Sequence, residues 1–185
     1  MNLRIFGSLI VVAVAAALAF QAPENESPEF TRDGQMVRPR NYREWVFLSS
    51  GLGMTYGPMA SSEPRFDNVF VNRGAYRSFI ETGRWPNGTT LVLEVRDAQS
   101  QGSINRGGHF QTAVVGLEVH VKDESRFAKK WAFFGFERDK NTATAFPANS
   151  SCFSCHEQHG AVDTTFVQFY PTLLEVAKGK GTFKN

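Results

Sequence analysis

The chain has 185 residues, a formal net charge of +2, 42% hydrophobic residues and 21% charged ones, which is ordinary for one globular domain. Basic and acidic residues are interspersed, which excludes a nucleic-acid footprint and a polybasic membrane-surface patch. The 17 Phe, with 3 Trp and 4 Tyr, supply rigid rings for a large core or an apolar cavity.

In chain order, Met1 to Ala22 has the shape of an export signal. Arg4 is the positive n-region, Ile5 to Phe20 is almost wholly apolar, and Ala17-Leu18-Ala19 offers small residues at peptidase spacing. An uncleaved anchor is the alternative, although the run is short for a membrane span. The mature protein is therefore expected in the periplasm. Residues 23–40 are polar and Pro-rich and read as a loose tether. Residues 41–185 form the expected domain.

Asn41-Tyr42-Arg43-Glu44 has capping-box spacing and predicts a short helix through Leu48. Ser49 to Pro64 reads as loop. Asp67 to Val71 is a short strand, and Asn72 is placed to cap a helix over Ala75 to Thr82 that Gly83 ends. Pro86-Asn87-Gly88 is a turn before a β-prone run, Thr89 to Arg96.

Gln99 to Gly108 is a polar loop. Thr112 to Lys122 alternates with period two: Ala113, Val115, Leu117, Val119 and Val121 share one face, and Gly116, Glu118, His120 and Lys122 share the other. Asp123 to Lys130 predicts helical turns and Trp131 to Glu137 a strand. Thr164 to Val176 predicts helix plus extended chain. The fold class expected is α+β, a small antiparallel sheet with flanking helices.

Cys152-Phe153-Ser154-Cys155-His156 is C-x-x-C-H, the c-type haem attachment pattern. On a helical turn the two thiols share a face and reach the two vinyl groups of one haem. His156 then lies beneath the iron, with its other ring nitrogen expected to donate to a carbonyl or carboxylate. A Cys152–Cys155 disulfide, a thioredoxin-like redox pair and a zinc site completed by His109, His120 and His159 are the competing readings. The adjacent His and the export signal favour one haem c per chain.

No Met follows Met59, so a downstream axial Met is excluded, while Met54 and Met59 are upstream candidates. A five-coordinate iron is the leading expectation. Phe70, Phe79, Leu91 and Leu93 are candidates for the open side of the haem, although each also suits an ordinary core. Glu137 and Asp163 are candidate proton handlers. His109 and His120 read as surface histidines.

The haem motif together with Asp163 to Leu174, Asn68 to Asn72, Thr82 to Thr89, Leu91 to Val95 and Trp131 to Glu137 resembles the cytochrome P-460 family. The resemblance implies a β-rich periplasmic monohaem protein, typically a homodimer, with one of two activities. One branch cross-links a Lys to the porphyrin edge and oxidises hydroxylamine. The other, cytochrome c-prime-beta, has no cross-link and binds nitric oxide or carbon monoxide in an apolar pocket capped by Phe.

No Lys precedes Lys122 in this sequence. The strand implied to carry the cross-linking Lys reads Leu91-Val92-Leu93, and the later lysines suit solvated positions. Gas binding is therefore the leading expectation. Hydroxylamine oxidation, and electron transfer with a partner cytochrome, are the alternatives.

Overall fold

The computed structural model describes residues 26–56 and 63–184. The apolar amino-terminal run and Met59 lie outside the described residues. Among the described residues, no helix is long and apolar enough to cross a membrane.

The architecture is α+β. Strands β2 (Val46–Leu52), β3 (Arg65–Val71), β4 (Thr90–Gln99), β5 (Phe110–Lys122) and β6 (Trp131–Phe136) form an antiparallel sheet in that order. Two short strands, β1 (Met36–Val37) and β7 (Thr142–Ala143), pair with each other. The helices are α1 (Arg73–Thr82), α2 (Ser151–His159) and α3 (Pro171–Gly179).

β-branched residues on β4 and β5 suit a pleated surface, and their alternation gives the sheet two distinct faces. On the first face Val92, Leu117, Val119, Val121 and Phe134 form a core closed by Met36 and Tyr42. On the second, Val71 and Leu91 pack with Phe79 and Trp85, under Leu173 and Ala177 of α3. Helix α1 ends where expected: Gly83 turns left-handed at φ 70°, and its N–H reaches the Phe79 carbonyl at 2.7 Å. A Cβ there would sit 2.7 Å from Lys180 Cβ, so glycine also admits the close approach of the C-terminal segment.

Three local expectations are corrected. Tyr42–Glu44 is one 3-10 turn whose Asn41 makes no side-chain cap, and the chain leaves it as β2 rather than as helix. Val46, Phe47 and Ser49 to Leu52 pair with β3 while Leu48, at a register shift, packs in the core, and together they gain more than one helical turn could return. Residues 26–40 are not a loose tether in their described part. Met36 is only 1% exposed, Phe30 packs on Phe127 and Phe134, and β1 pairs with β7. A few apolar residues at the right register anchor an otherwise polar segment. Asp123 to Lys130 forms turns rather than helix, with the Asp123 carboxylate accepting from the Ser125 and Arg126 N–H groups.

The first face also holds a buried charge. Glu94, with a side chain 2% exposed, accepts from Tyr42, Arg43 and Arg96. Burial alone raises its carboxyl, but the hydrogen bonds from Arg96, Tyr42 and Arg43 outweigh that and hold it below the ordinary value. Burial and the Glu94 contact push the Tyr42 phenol up to about 12.

Candidate functional site

The second face of the sheet, below the α3 core, opens into a cavity of about 370 Å³ between the sheet and α2. That size is in the range of small-molecule and cofactor sites. Two further cavities of similar size contain neither thiol nor imidazole. Chemistry, not volume, picks out the first.

Helix α2 brings Cys152, Cys155 and His156 to the cavity together, as spacings of three and four residues require. Phe153, buried between them on the helix, meets Phe133 of β6 edge-on at 4.9 Å and sets how the helix seats on the sheet. Both thiols are free and partly exposed. His156 Nδ1 lies 2.7 Å from the Thr164 carbonyl, so the protonated Nδ1 donates and Nε2 is left unprotonated with its lone pair available. Burial lowers its imidazole below the ordinary value, against the opposing effect of the Thr164 carbonyl.

The carbonyl reaches His156 through an unusual turn. Asp163 and Thr164 both adopt left-handed backbone, at φ 46° and 64°. For residues with a Cβ this costs roughly 1–3 kcal/mol each and persists only where surroundings over-determine it. Thr165 provides part of that constraint: its N–H and hydroxyl both donate to the Val162 carbonyl, and Trp85 Nε1 donates to its Oγ1 at 2.8 Å. Gly160 provides more. A Cβ there would lie 2.6 Å from the His156 carbonyl oxygen and from the Thr164 carbonyl carbon, so only glycine lets the turn close on the helix.

The opposite wall is the sheet. Register aligns Leu91, His120 and Phe133 across β4, β5 and β6, and Val69, Leu93 and Glu118 across β3, β4 and β5. Leu91 and Leu93 therefore line the cavity with the cysteines and His156. Phe70 and Phe79 do not, which corrects their expected place. Phe70 points to the other face against Tyr42 and Phe47, and Phe79 packs at a tilt on Trp85 in the helix-covered core.

Phe146 lies on the sheet wall together with Phe133. Its backbone pairs beside β6, and a Cβ on Gly135 would meet its ring at 2.9 Å. A glycine inside the apolar run Trp131–Phe136 was the sequence signal for that close approach. Phe166, by contrast, packs 4.2 Å from the His156 ring, on the helix side.

Two polar residues on the sheet wall were not singled out by sequence. Glu118 and Asp67 face the cavity, and their carboxyls make no hydrogen bond or ion pair among the described residues. Burial raises the Glu118 carboxyl, and burial plus Glu118 raises that of Asp67. Each therefore holds a proton to higher pH than a solvated carboxylate.

His120, expected at the surface from its place on the polar face of β5, is buried instead. It is 7% exposed, stacked on Phe133 at 4.0 Å, and 5.0 Å from the His156 ring. Burial, and then His156, hold it neutral, with its imidazole well below the ordinary value. Its buried Nε2 has no partner within the described residues.

Lys122 also departs from expectation. It is 8% exposed and bonded to Asp163 and the Trp85 carbonyl. Asp163 is thereby an ion-pair partner, and Glu137 is exposed and does not line the cavity. His109 and His159 are exposed. Among the described residues, no group of three or more His, Cys, Asp or Glu side chains could hold a metal ion, so none supports the zinc reading.

The sequence profile of the family Cytochrome P460 matches residues 39–167, well over half of the chain. This chain belongs to the cytochrome P460 family. Its matched span holds every strand of the main sheet, the C-x-x-C-H helix and the turn behind it. No individually curated protein matches the chain. The family implies a haem cofactor, and the residues present fit one. Two thiols and an imidazole with an unprotonated Nε2 line one cavity, facing a sheet wall that leaves the buried His120 Nε2 without a partner among the described residues.

Proposed function

We propose that this chain is an exported, periplasmic c-type cytochrome that holds one haem through Cys152 and Cys155, with His156 as the proximal ligand. Its open side binds a small neutral ligand such as nitric oxide. The observation that carries this reading is the convergence of those three side chains on a cavity whose facing wall carries Val69, Leu91 and Leu93 beside the carboxyls of Asp67 and Glu118. Haem bound there supplies an iron centre that coordinates a diatomic ligand or exchanges an electron. Apolar side chains exclude water and make an unpaired anion costly, which favours neutral ligands. The assembly proposed is a homodimer.

Absorption spectra of the reduced protein with and without nitric oxide test the reading. A five-coordinate spectrum that shifts on adding the gas is expected. A six-coordinate, low-spin spectrum unchanged by the gas overturns it in favour of electron transfer to a partner cytochrome. Met54, which lines the cavity, would then be a candidate for the sixth ligand.

A second reading, hydroxylamine oxidation, is favoured by Glu118. Oxidising a nitrogen substrate that carries N–H protons requires a group that takes them up, and a carboxylate whose carboxyl is raised by burial is a stronger base than a solvated one. Against it stand Leu91 and Leu93 where the resemblance places a cross-linking Lys, and a Lys122 amine already engaged by Asp163. Turnover of hydroxylamine with an electron acceptor, together with an intact-mass spectrum, decides between the two.

A further inference from the structure

Lys122 is a charged residue inside the protein, and nothing in the proposed chemistry uses it. It closes the cavity-facing row of β5, after Glu118 and His120, so it lies beneath the proximal segment rather than in solvent. Its Nζ donates to Asp163 Oδ2 at 2.6 Å and to the Trp85 carbonyl at 2.9 Å, with Glu124 Oε1 at 3.6 Å. Both main partners belong to one structure. Asp163 is the first of the two left-handed residues whose second member, Thr164, presents its carbonyl to His156 Nδ1. Trp85, whose carbonyl Lys122 holds, donates its indole N–H to Thr165 on the far side of the same turn.

The turn is thus gripped at Asp163 by charge and at Thr165 by the indole, and Lys122 bonds to both arms. We propose that Lys122 is a positioning residue for the proximal imidazole, acting through Asp163 to hold the Thr164 carbonyl on His156 Nδ1. The proposal rests on the reading of His156 as the iron ligand. Its physical basis is general: a firm hydrogen bond from the far nitrogen makes a ligating imidazole more basic and fixes its orientation. A basic imidazole favours ferric over ferrous iron. Removing the ammonium frees Asp163 from its strained conformation, lets the carbonyl drift, and weakens the ligand.

The test uses the haem-loaded protein with Lys122→Met, which keeps length and apolar bulk, and Asp163→Asn, which keeps shape. Expected are an upward shift in reduction potential and a lower iron–histidine stretching frequency in the reduced resonance Raman spectrum, with haem still attached. Lys122→Arg, which retains a donor, restores part of both. Because the two residues act as one unit, the double variant should shift no further than the larger single one.

If Lys122→Met does not accumulate as folded protein, Asp163→Asn carries the same readouts. A variant with lowered melting temperature but unchanged potential and stretching frequency overturns the proposal, because a merely structural pair would behave that way. His156→Ala separates this failure from that of the parent reading: an unchanged axial spectrum there removes His156 as ligand altogether.

Discussion

The two walls of the cavity are built on opposite principles. On the helix side, each group is held by a second: His156 by the Thr164 carbonyl, Thr165 by the Val162 carbonyl and Trp85, Asp163 by Lys122. On the sheet side, Val69, Leu91 and Leu93 present plain apolar surface, and the carboxyls of Asp67 and Glu118 have no hydrogen-bonding partner among the described residues. The difference teaches where function tolerates change. The first wall fixes one nitrogen at one place, and a small perturbation propagates along its bonds. The second wall only shapes and charges a space, so its side chains can be exchanged without unfolding the sheet that carries them.

Substitution at His156 should have the largest effect. In His156→Ala the haem should stay attached through the cysteines while spin state and coordination change completely. Absorption and electron paramagnetic resonance spectra report the change, and spectra like those of the parent protein would refute the ligand assignment. Next comes Gly160→Ala. Its new methyl would lie 2.6 Å from backbone of both His156 and Thr164, neither of which is the end of a flexible side chain. Overpacking of this kind costs about 1–3 kcal/mol. Denaturant melts of the haem-free protein should show that loss, and the haem-loaded protein should show an altered iron spectrum.

Changes on the sheet wall should be gentler. Leu93→Lys places an amine on the cavity-facing row of β4 beside Val69 and Glu118. The protein should remain folded, and mass spectrometry should detect a porphyrin bonded to the new amine. An unmodified haem would count against β4 facing the porphyrin edge.

The smallest effect is expected from Glu118→Gln. The carboxyl is raised by burial, so it gives up its proton at higher pH than a solvated carboxyl does. In the parent protein thiocyanate should bind ferric iron more weakly as pH rises through its raised pKa, because the new carboxylate repels the anion. The variant should show a flatter profile. The same sign holds for folding of the haem-free protein. The favourable contribution is complete below the unfolded-state value and is lost as pH rises through the higher folded-state value. Glu118→Gln should therefore remove that loss at neutral pH. An identical pH profile in parent and variant would place Glu118 out of reach of the bound anion.

The alternation along Thr112 to Lys122 sorted Leu117, Val119 and Val121 from Glu118, His120 and Lys122 correctly, yet it misjudged what covers the second set. Period two reports that residues share a face, not whether water, a helix or a cavity lies beyond it. Around Tyr42 the same limit appears in reverse. A capping-box spacing is local, and the gain from pairing β2 with β3 is not. Gly135 was legible in principle, because a glycine in an apolar strand marks something lying close upon it. What lay there, Phe146, is separated from it by a loop of unspecified path.

The sequence by itself determined the chemistry: two thiols and an imidazole at helical spacing, an alternating sheet, and β4 positions without an amine. These are set by covalent spacing and by backbone periodicity, both local quantities. Only the tertiary structure decided which rings face the cavity, that His120 and Lys122 are buried, and that a strained turn delivers the Thr164 carbonyl to His156. Those outcomes depend on contacts between segments far apart in the chain, such as Trp85 with Thr165 and Lys122 with Asp163. No window of sequence contains both partners.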